Sequence, residues 1–380
     1  MPVRNVAIVG AGIAGLTAAL SFARKGISST VIEQAPELTE VGAGLQVSPN
    51  ASRILAELGV LASLEAIWME PDIIELRSGT SLRRLAAVPS GRSARQRWGA
   101  PYGVLHRSSL QQALLSAAQD QPLCRLVLGK RLHVADRRAI ADIAGTEPDL
   151  VVGADGVRSV IRSLVPGAPQ ARFSGNVAWR ITVPDAQAPD FIDRKNVTAF
   201  LGPSSHLVCY PLREAGCINL VAIVSKADPE ADGRGRTLKH AFSRWHPAIQ
   251  RLLSDVSAPT FWPLYEAGPG NWQDGAKTVL IGDAAHAMMP FAAQGAAMAI
   301  EDAFELAGRA ARIPLGAALA DFETRRRQRA EQVRRRGAFN KFAYHARGPV
   351  RFARDLVLGL RPPQALAADL DWLYGYRAED

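Results

Sequence analysis

A strand, a glycine-rich turn and a helix open the chain, and together they leave few folds available. Residues 6–9 form a short apolar run, Gly10-Ala-Gly12-Ile-Ala-Gly15 follows at once, and residues 16–25 carry helical periodicity up to Gly26. A second β-branched run at 29–32 ends at Glu33 and Gln34. This is a βαβ dinucleotide fingerprint in its full context. Gly10 allows the tight turn, Gly12 lets the backbone approach a pyrophosphate, and Gly15 lets helix and strand pack closely. Glu33 stands where an acid binds a ribose hydroxyl pair. An acid there favours a free 2′-hydroxyl, as in NAD or the adenosine half of FAD.

Two later stretches repeat the strand-then-loop form. Residues 278–281 are an apolar run, Gly282, Asp283, Pro290 and Gly295 lie in the loop behind it, and an alanine-rich helix follows. An acid at a strand end, with free N–H groups at a helix start, makes a seat for a polar, partly anionic ring system. Residues 150–152 are a third buried-strand run, followed by Gly153-Ala-Asp155-Gly156-Val-Arg158-Ser159 and a helix start that Asp155 or Ser159 could cap.

Composition narrows the partners. The 380 residues suffice for two domains, and 21% charged with 48% hydrophobic residues is ordinary for a globular chain. The net charge is +9. Its densest basic run, RRRQRAEQVRRR at 325–336, reads as a solvated helix, because no base-stacking aromatics accompany it as nucleic-acid binding would require. A positive field would instead help draw in an anionic substrate or a pyridine nucleotide. Cys124, Cys209 and Cys217 show neither CxxC pairing nor metal-ligand spacing, so they read as free thiols of a reducing cytoplasm, with no metal site. No run of 18 apolar residues occurs, so no membrane span is expected.

Between these landmarks, Gly42-Ala43-Gly44 leads to Ser48-Pro49-Asn50. Ser48 suits an N-cap and Pro49 a first helical position, and the glycines would either form a turn or let the backbone lie against a flat ligand. Ile73, Leu76, Leu82 and Leu85 around Ser78-Gly79-Thr80 read as a hairpin. Residues 103–115 read as helical, with Arg107 near the start. Residues 177–183, 197–200, 206–212 and 217–224 read as strands of a mostly antiparallel sheet, with a helical interval near 238–253. From residue 300 on the pattern is helical, broken at Pro349 and Pro362-Pro363.

GxGxxG, GADGVRS and GDAAHAMMP, in that order, resemble the motifs of group A flavoprotein monooxygenases of the para-hydroxybenzoate hydroxylase fold. The salicylate and 3-hydroxybenzoate hydroxylase branch is nearest, and the resemblance runs from Val6 to the WLYGY at 372–376. It implies an α/β fold: a Rossmann-like FAD-binding domain (1–71, 101–170 and 275–340), an inserted, mostly antiparallel substrate domain (72–100 and 171–274) and a C-terminal helical segment (341–380). It further implies that Gly10, Gly12, Gly15, Glu33 and Gln34 hold the ADP half of FAD, with Gly44 and Arg107 near the cofactor and Leu132 by the adenine. Asp155 belongs to a second fingerprint associated with FAD and pyridine-nucleotide use. Asp283 matches an acid that bonds the ribitol, Pro290 lines the flavin, and the backbone of Gly295 and Ala296 faces its pyrimidine edge.

The chain departs from the family in two places. Relatives usually carry a longer β-ribbon before GADG than residues 125–150 allow. The loop at 293–297, AQGAA, resembles hydroxynicotinate monooxygenases, but those place histidines where this chain has Gln46 and Phe291. It shares their histidine and tyrosine at His206 and Tyr210.

The implied reaction consumes NADH or NADPH and O₂ and hydroxylates a phenol or hydroxy-heteroaromatic acid through a flavin C4a-hydroperoxide. Deprotonating the substrate hydroxyl feeds electron density to its ortho and para carbons, so the site needs a base and a dry pocket. His206 is the base candidate, or else a surface histidine at the start of its strand. Tyr210, four residues on, shares its face as an orienting or relaying group. Arg180 suits a substrate carboxylate or a structural ion pair, and Gln46, Trp262 and Phe291 suit an aromatic pocket. His286 lies inside a motif where its role is structural. The C-terminal helices could serve a homodimer. A flavin reductase or oxidase on the same fold, or a monooxygenase of larger polycyclic phenols, would share most of these features.

Overall fold

A computed structural model of the chain describes residues 3–38, 44–225, 236–256 and 259–379. Gly42 and Ala43 of the second glycine run lie outside the described residues. The strands in chain order are β1 (Asn5–Val9), β2 (Ser28–Ile32), β3 (Gly44–Val47), β4 (Ile73–Ser78), β5 (Arg84–Pro89), β6 (Gly103–His106) and β7 (Cys124–Val127). They continue with β8 (Leu150–Gly153), β9 (Ala171–Pro184), β10 (Val197–Gly202), β11 (Ser205–Leu212), β12 (Cys217–Ser225), β13 (Thr260–Ala267) and β14 (Thr278–Leu280).

The five short apolar runs pair as a wholly parallel sheet in the order β14-β8-β1-β2-β7. Val6, Ala7, Ile8 and Val9 are all buried, the signature of a strand covered on both faces. One cover is the Ile13–Arg24 helix, which packs between this sheet and the Gly295–Arg312 helix. All three nucleotide-type motifs leave the carboxyl ends of neighbouring strands β1, β8 and β14. Ligands of parallel α/β sheets bind at that edge.

The second sheet has the order β13-β9-β12-β11-β10-β4-β5, antiparallel except where β10 runs parallel to β4. Its two faces differ. Trp179, Leu207, Cys209, Leu220 and Ala222 point into an apolar core with Trp245 and the Pro247–Asp255 helix. The alternate residues look the other way, and the register arranges them in rows. Trp262, Ala178, Ile223 and His206 form one row, Arg180, Val221 and Val208 the next, Asn219 and Tyr210 the third.

Several local expectations change. Residues 103–106 are strand β6, antiparallel to β3, and the helix begins only at Arg107. Pairing with β3 and a bridge from Val104 to Met69 hold this stretch extended, and Trp68 lies so close that a Cβ at Gly103 would stand 2.3 Å from its ring. Ser48 does precede the Pro49–Glu57 helix, but its hydroxyl does not cap it, donating instead to Asn50 Oδ1 at 2.7 Å. In place of a ribbon, the 125–150 stretch holds the short Arg137–Ala144 helix, capped by Asp136.

The arginine run is not a uniformly solvated face. It lies within the Leu315–Tyr344 helix, which runs past residue 340, and Arg326 and Arg329 are buried while Arg325 and Arg335 are exposed. Periodicity explains the split, since 322, 326, 329, 330 and 333 fall on one helical stripe.

Candidate active site

The nucleotide cradle follows from three glycines with different surroundings. A Cβ on Gly10 (φ +104°) would stand 2.5 Å from the Ala154 carbonyl oxygen, and one on Gly15 would stand 1.9 Å from that of Gly10. These two are steric necessities of the turn. Gly12, by contrast, would meet nothing within 4 Å, so its missing side chain leaves open space at the start of the Ile13–Arg24 helix. That open approach to helix N–H groups fits the pyrophosphate of an FAD.

Glu33 closes the cradle, its carboxylate accepting from the Ala11 N–H at 2.7 Å and the Ala35 N–H at 2.9 Å. Gln34 is exposed beside it. Lys130 N–H donates to the Glu33 carbonyl at 2.8 Å, bringing the Leu132 segment to the same end. Arg107 opens its helix, and Gln111 of that helix donates to the Ala11 carbonyl at 2.9 Å.

Asp155 behaves first as a cap. Its Oδ2 accepts from the N–H groups of Val160 (2.7 Å) and Ile161 (3.2 Å) at a single 3₁₀ turn, while its Oδ1 is buried with no partner among the described residues. Burial outweighs those bonds and raises the carboxyl above its usual range.

At the third motif, Gly282 (φ +58°) turns the chain so that Asp283 emerges exposed, its carboxylate making no hydrogen bond among the described residues. Pro290 opens a 3₁₀ turn, Ala293 takes a left-handed conformation, and Gly295 and Ala296 begin the Gly295–Arg312 helix. Nothing lies within 4 Å of where a Gly295 Cβ would be. An exposed acid and an open helix start fit the ribitol and the pyrimidine edge of a flavin, where N–H donors favour growing negative charge.

This loop is anchored by buried charge. Asp302 Oδ2 accepts from the Gly282 N–H at 2.9 Å and bonds His286, while its Oδ1 accepts from Arg326 at 2.7 Å. Burial alone would raise the Asp302 carboxyl, but His286 and Arg326 hold it down at about 2. Glu301 takes Arg326 at 2.8 Å, Arg329 at 3.0 Å and the Asn50 amide at 2.7 Å. Asn50 also donates to Gln294 Oε1 at 3.1 Å, so the residue before the flavin-side helix is tied to the ion network. His286 is tied into this buried network through Asp302.

On the sheet face above, His206 is buried and not a surface histidine. Its ring sits 5.3 Å from the rings of both Phe291 and Tyr344, and its Nδ1 lies 2.8 Å from Nε2 of His345. Burial first, and then His345, push its pKa well below the usual imidazole value. Tyr210 is buried on the same face, and burial raises its phenol. Tyr102 donates to Gln46, which also stands beside Tyr210. The room at Gly44 is taken by the Tyr210 ring, and its N–H donates to Asn219 Oδ1 at 2.9 Å. Trp262 is 43% exposed at the sheet's edge, with the Arg180 guanidinium 5.1 Å from its ring centre. Phe291 packs on Ala178 and Ile223, placing the flavin-side loop directly against this face.

His345, Asn219, Gln294 and Asn50 were not singled out from sequence. Gln294 lay within the AQGAA loop and Asn50 within the Ser48-Pro49-Asn50 helix start, neither given a role there; His345 and Asn219 are isolated polar residues whose partners are distant in the chain.

Comparison with known proteins agrees with this geometry. A family described as FAD binding domain matches residues 4–337. The chain is 36% identical to 3-amino-4-hydroxybenzoate 2-monooxygenase of Streptomyces cremeus, covering 98% of this chain and 95% of that protein. It is 34% identical to 3-hydroxybenzoate 6-hydroxylase 1 of Aquipseudomonas alcaligenes, over 98% and 97%. A salicylate hydroxylase substrate complex shares the fold with a TM-score of 0.79 at 24% identity, covering 99% of this chain and 96% of that one. The fold is that of the para-hydroxybenzoate hydroxylase-like flavoproteins. The chain belongs to the FAD-dependent aromatic monooxygenases, the group A flavin hydroxylases.

Proposed function

We propose that this monooxygenase hydroxylates a single-ring phenol or hydroxy-heteroaromatic carrying a carboxylate, using NADH or NADPH and O₂. The observation that carries the reading is the buried pair His206 and Tyr210 on one sheet face, with Phe291 of the flavin-side loop packed against that face. The relatives' hydroxybenzoate substrates support it.

FAD is held by Gly10, Gly12, Gly15, Glu33 and Gln34 at its ADP half, with Arg107, Leu132 and Asp155 at the rim. Asp283, Pro290, Gly295 and Ala296 lie along the flavin. When bound, it supplies electrons from the reduced nicotinamide and delivers one oxygen atom of O₂. The chain's own residues do the rest. His206 Nε2 takes the proton of the substrate hydroxyl. Tyr210, with Gln46, orients that hydroxyl, and Arg180 beside Trp262 receives the carboxylate. Phe291 excludes water.

The segments 1–71, 101–170 and 275–340 serve the cofactor, 72–100 and 171–274 the substrate, and 341–380 closes the sheet face through His345. The free cysteines fit a cytoplasmic enzyme, and the C-terminal helices suit a homodimer. Among the described residues no helix is long and apolar enough to cross a membrane.

The test follows NADH and NADPH oxidation by FAD-loaded protein across hydroxybenzoates, aminohydroxybenzoates and hydroxypyridine carboxylates, with peroxide measured in parallel. A compound that is consumed with little peroxide supports the reading. Peroxide alone with every compound would mean that an oxidase better describes the chain. No stimulation at all would shift the substrate to larger phenols.

A further inference from the structure

His206 ends a line of hydrogen bonds whose direction can be read from its far end. The Ser174 carbonyl oxygen only accepts, and Asn176 Nδ2 lies 2.8 Å from it, which fixes the orientation of that amide. Asn176 Oδ1 therefore faces Ser225 and accepts its hydroxyl proton at 2.8 Å. With its proton committed, Ser225 Oγ can only accept from His345 Nδ1, 2.9 Å away. His345 then carries its proton on Nδ1 and presents a bare Nε2 to His206 Nδ1 at 2.8 Å. His206 must donate there. Its own proton is on Nδ1, and the lone pair is left on Nε2, which makes no hydrogen bond among the described residues.

We propose that His345, held by Ser225 and Asn176, is a positioning residue that locks His206 in the Nδ1–H tautomer, leaving Nε2 as the basic nitrogen toward the substrate. The proposal rests on His206 being the base. Neutral imidazole populates either tautomer, and the hydrogen bond at one nitrogen decides which nitrogen is basic. The groups around His345 favour its neutral form. Burial comes first, then Lys341 and Arg347, and together they lower its pKa to about 3. His206 and Phe291 are its ring neighbours, and no carboxylate is hydrogen-bonded to it among the described residues. When Nε2 of His206 gains the substrate's proton, its Nδ1–H stays hydrogen-bonded to the bare Nε2 of His345, which stabilises the imidazolium. The added proton remains on His206, because the Ser225 hydroxyl is committed to Asn176 and passes none on.

The experiment labels the seven histidines with ¹⁵N in the FAD-loaded protein and reads their tautomers by long-range ¹H–¹⁵N correlation at pH 7.5. His206→Asn and His345→Gln assign the two signals. The wild type should show both rings as Nδ1–H. Ser225→Ala should bring up the Nε2–H pattern at His345 and His206, and Ser225→Thr, which keeps the hydroxyl, should restore the original pattern. A wild-type His206 protonated on Nε2 would overturn the proposal, as would a Ser225→Ala pattern unchanged from wild type. The base reading fails separately. If His206→Asn hydroxylates as well as wild type, His206 is not the base, whatever its tautomer.

Discussion

A Cβ at position 44 would stand 2.5 Å from Cε2 and 2.8 Å from Oη of Tyr210. The glycine is therefore the space into which the tyrosine fits, and the ring is trapped between β3 and β12. Gly44→Ala should displace either the Tyr210 ring or the strand, since packing one methyl into a filled site costs about 1–3 kcal/mol. We expect full FAD content, by flavin absorbance, but a KM for the aromatic substrate raised about tenfold, as one misplaced substrate contact costs about 1.4 kcal/mol. Unchanged kinetics would show that Tyr210 does not position the substrate.

Gly12 and Gly15 should separate cofactor binding from folding. The first has open space where a side chain would be, and the second has a carbonyl oxygen there. Gly12→Val should fold with near wild-type circular dichroism yet lose FAD affinity by more than about tenfold, measured by quenching of flavin fluorescence, because the side chain fills the pyrophosphate approach. Gly15→Val should fail to fold at all. Equal FAD affinity in Gly12→Val would remove Gly12 from the cradle.

Arg326 is fully buried among Glu301, Asp302 and Glu305. Arg326→Met leaves three buried carboxylates short of a counter-charge, so urea denaturation should show a loss of about 3–5 kcal/mol, the usual cost of breaking a buried pair from one side. The exposed Arg335–Glu331 pair is the control, and Arg335→Ala should change stability by less than about 1 kcal/mol. A mild Arg326→Met phenotype would mean that the network does not hold the flavin-side loop.

The His206–His345 pair also sets a pH dependence. Both pKa values are depressed, that of His345 to about 3, whereas an unfolded imidazole takes a proton near pH 6.5. Between about pH 6.5 and 3 the unfolded chain binds more protons than the folded one, so the pair makes stability fall as pH drops through that window. Above pH 6.5 it contributes no slope. Denaturation midpoints at pH 7.5 and pH 5 should converge in His345→Gln relative to wild type; an equal drop in both proteins would exclude His345 as a source.

Local sequence determined the parts that depend on neighbours along the chain. The spacing of Gly10, Gly12 and Gly15, the acid at Glu33, and the strand-loop-helix order around Asp283 each record a backbone need within a few residues, and they carried the family with them. The alternation of β11 likewise put His206 and Tyr210 on one face. Tertiary structure decided what depends on residues far apart. The β6 strand forms by pairing with β3, far earlier in the chain, and Arg326 is buried where three acids from another helix meet it. His206 acquires a tautomer only because the Leu315–Tyr344 helix ends at His345, 139 positions along the chain. A hydrogen-bond partner at that separation leaves no periodicity, spacing or turn signature to read, so only the folded chain could supply it.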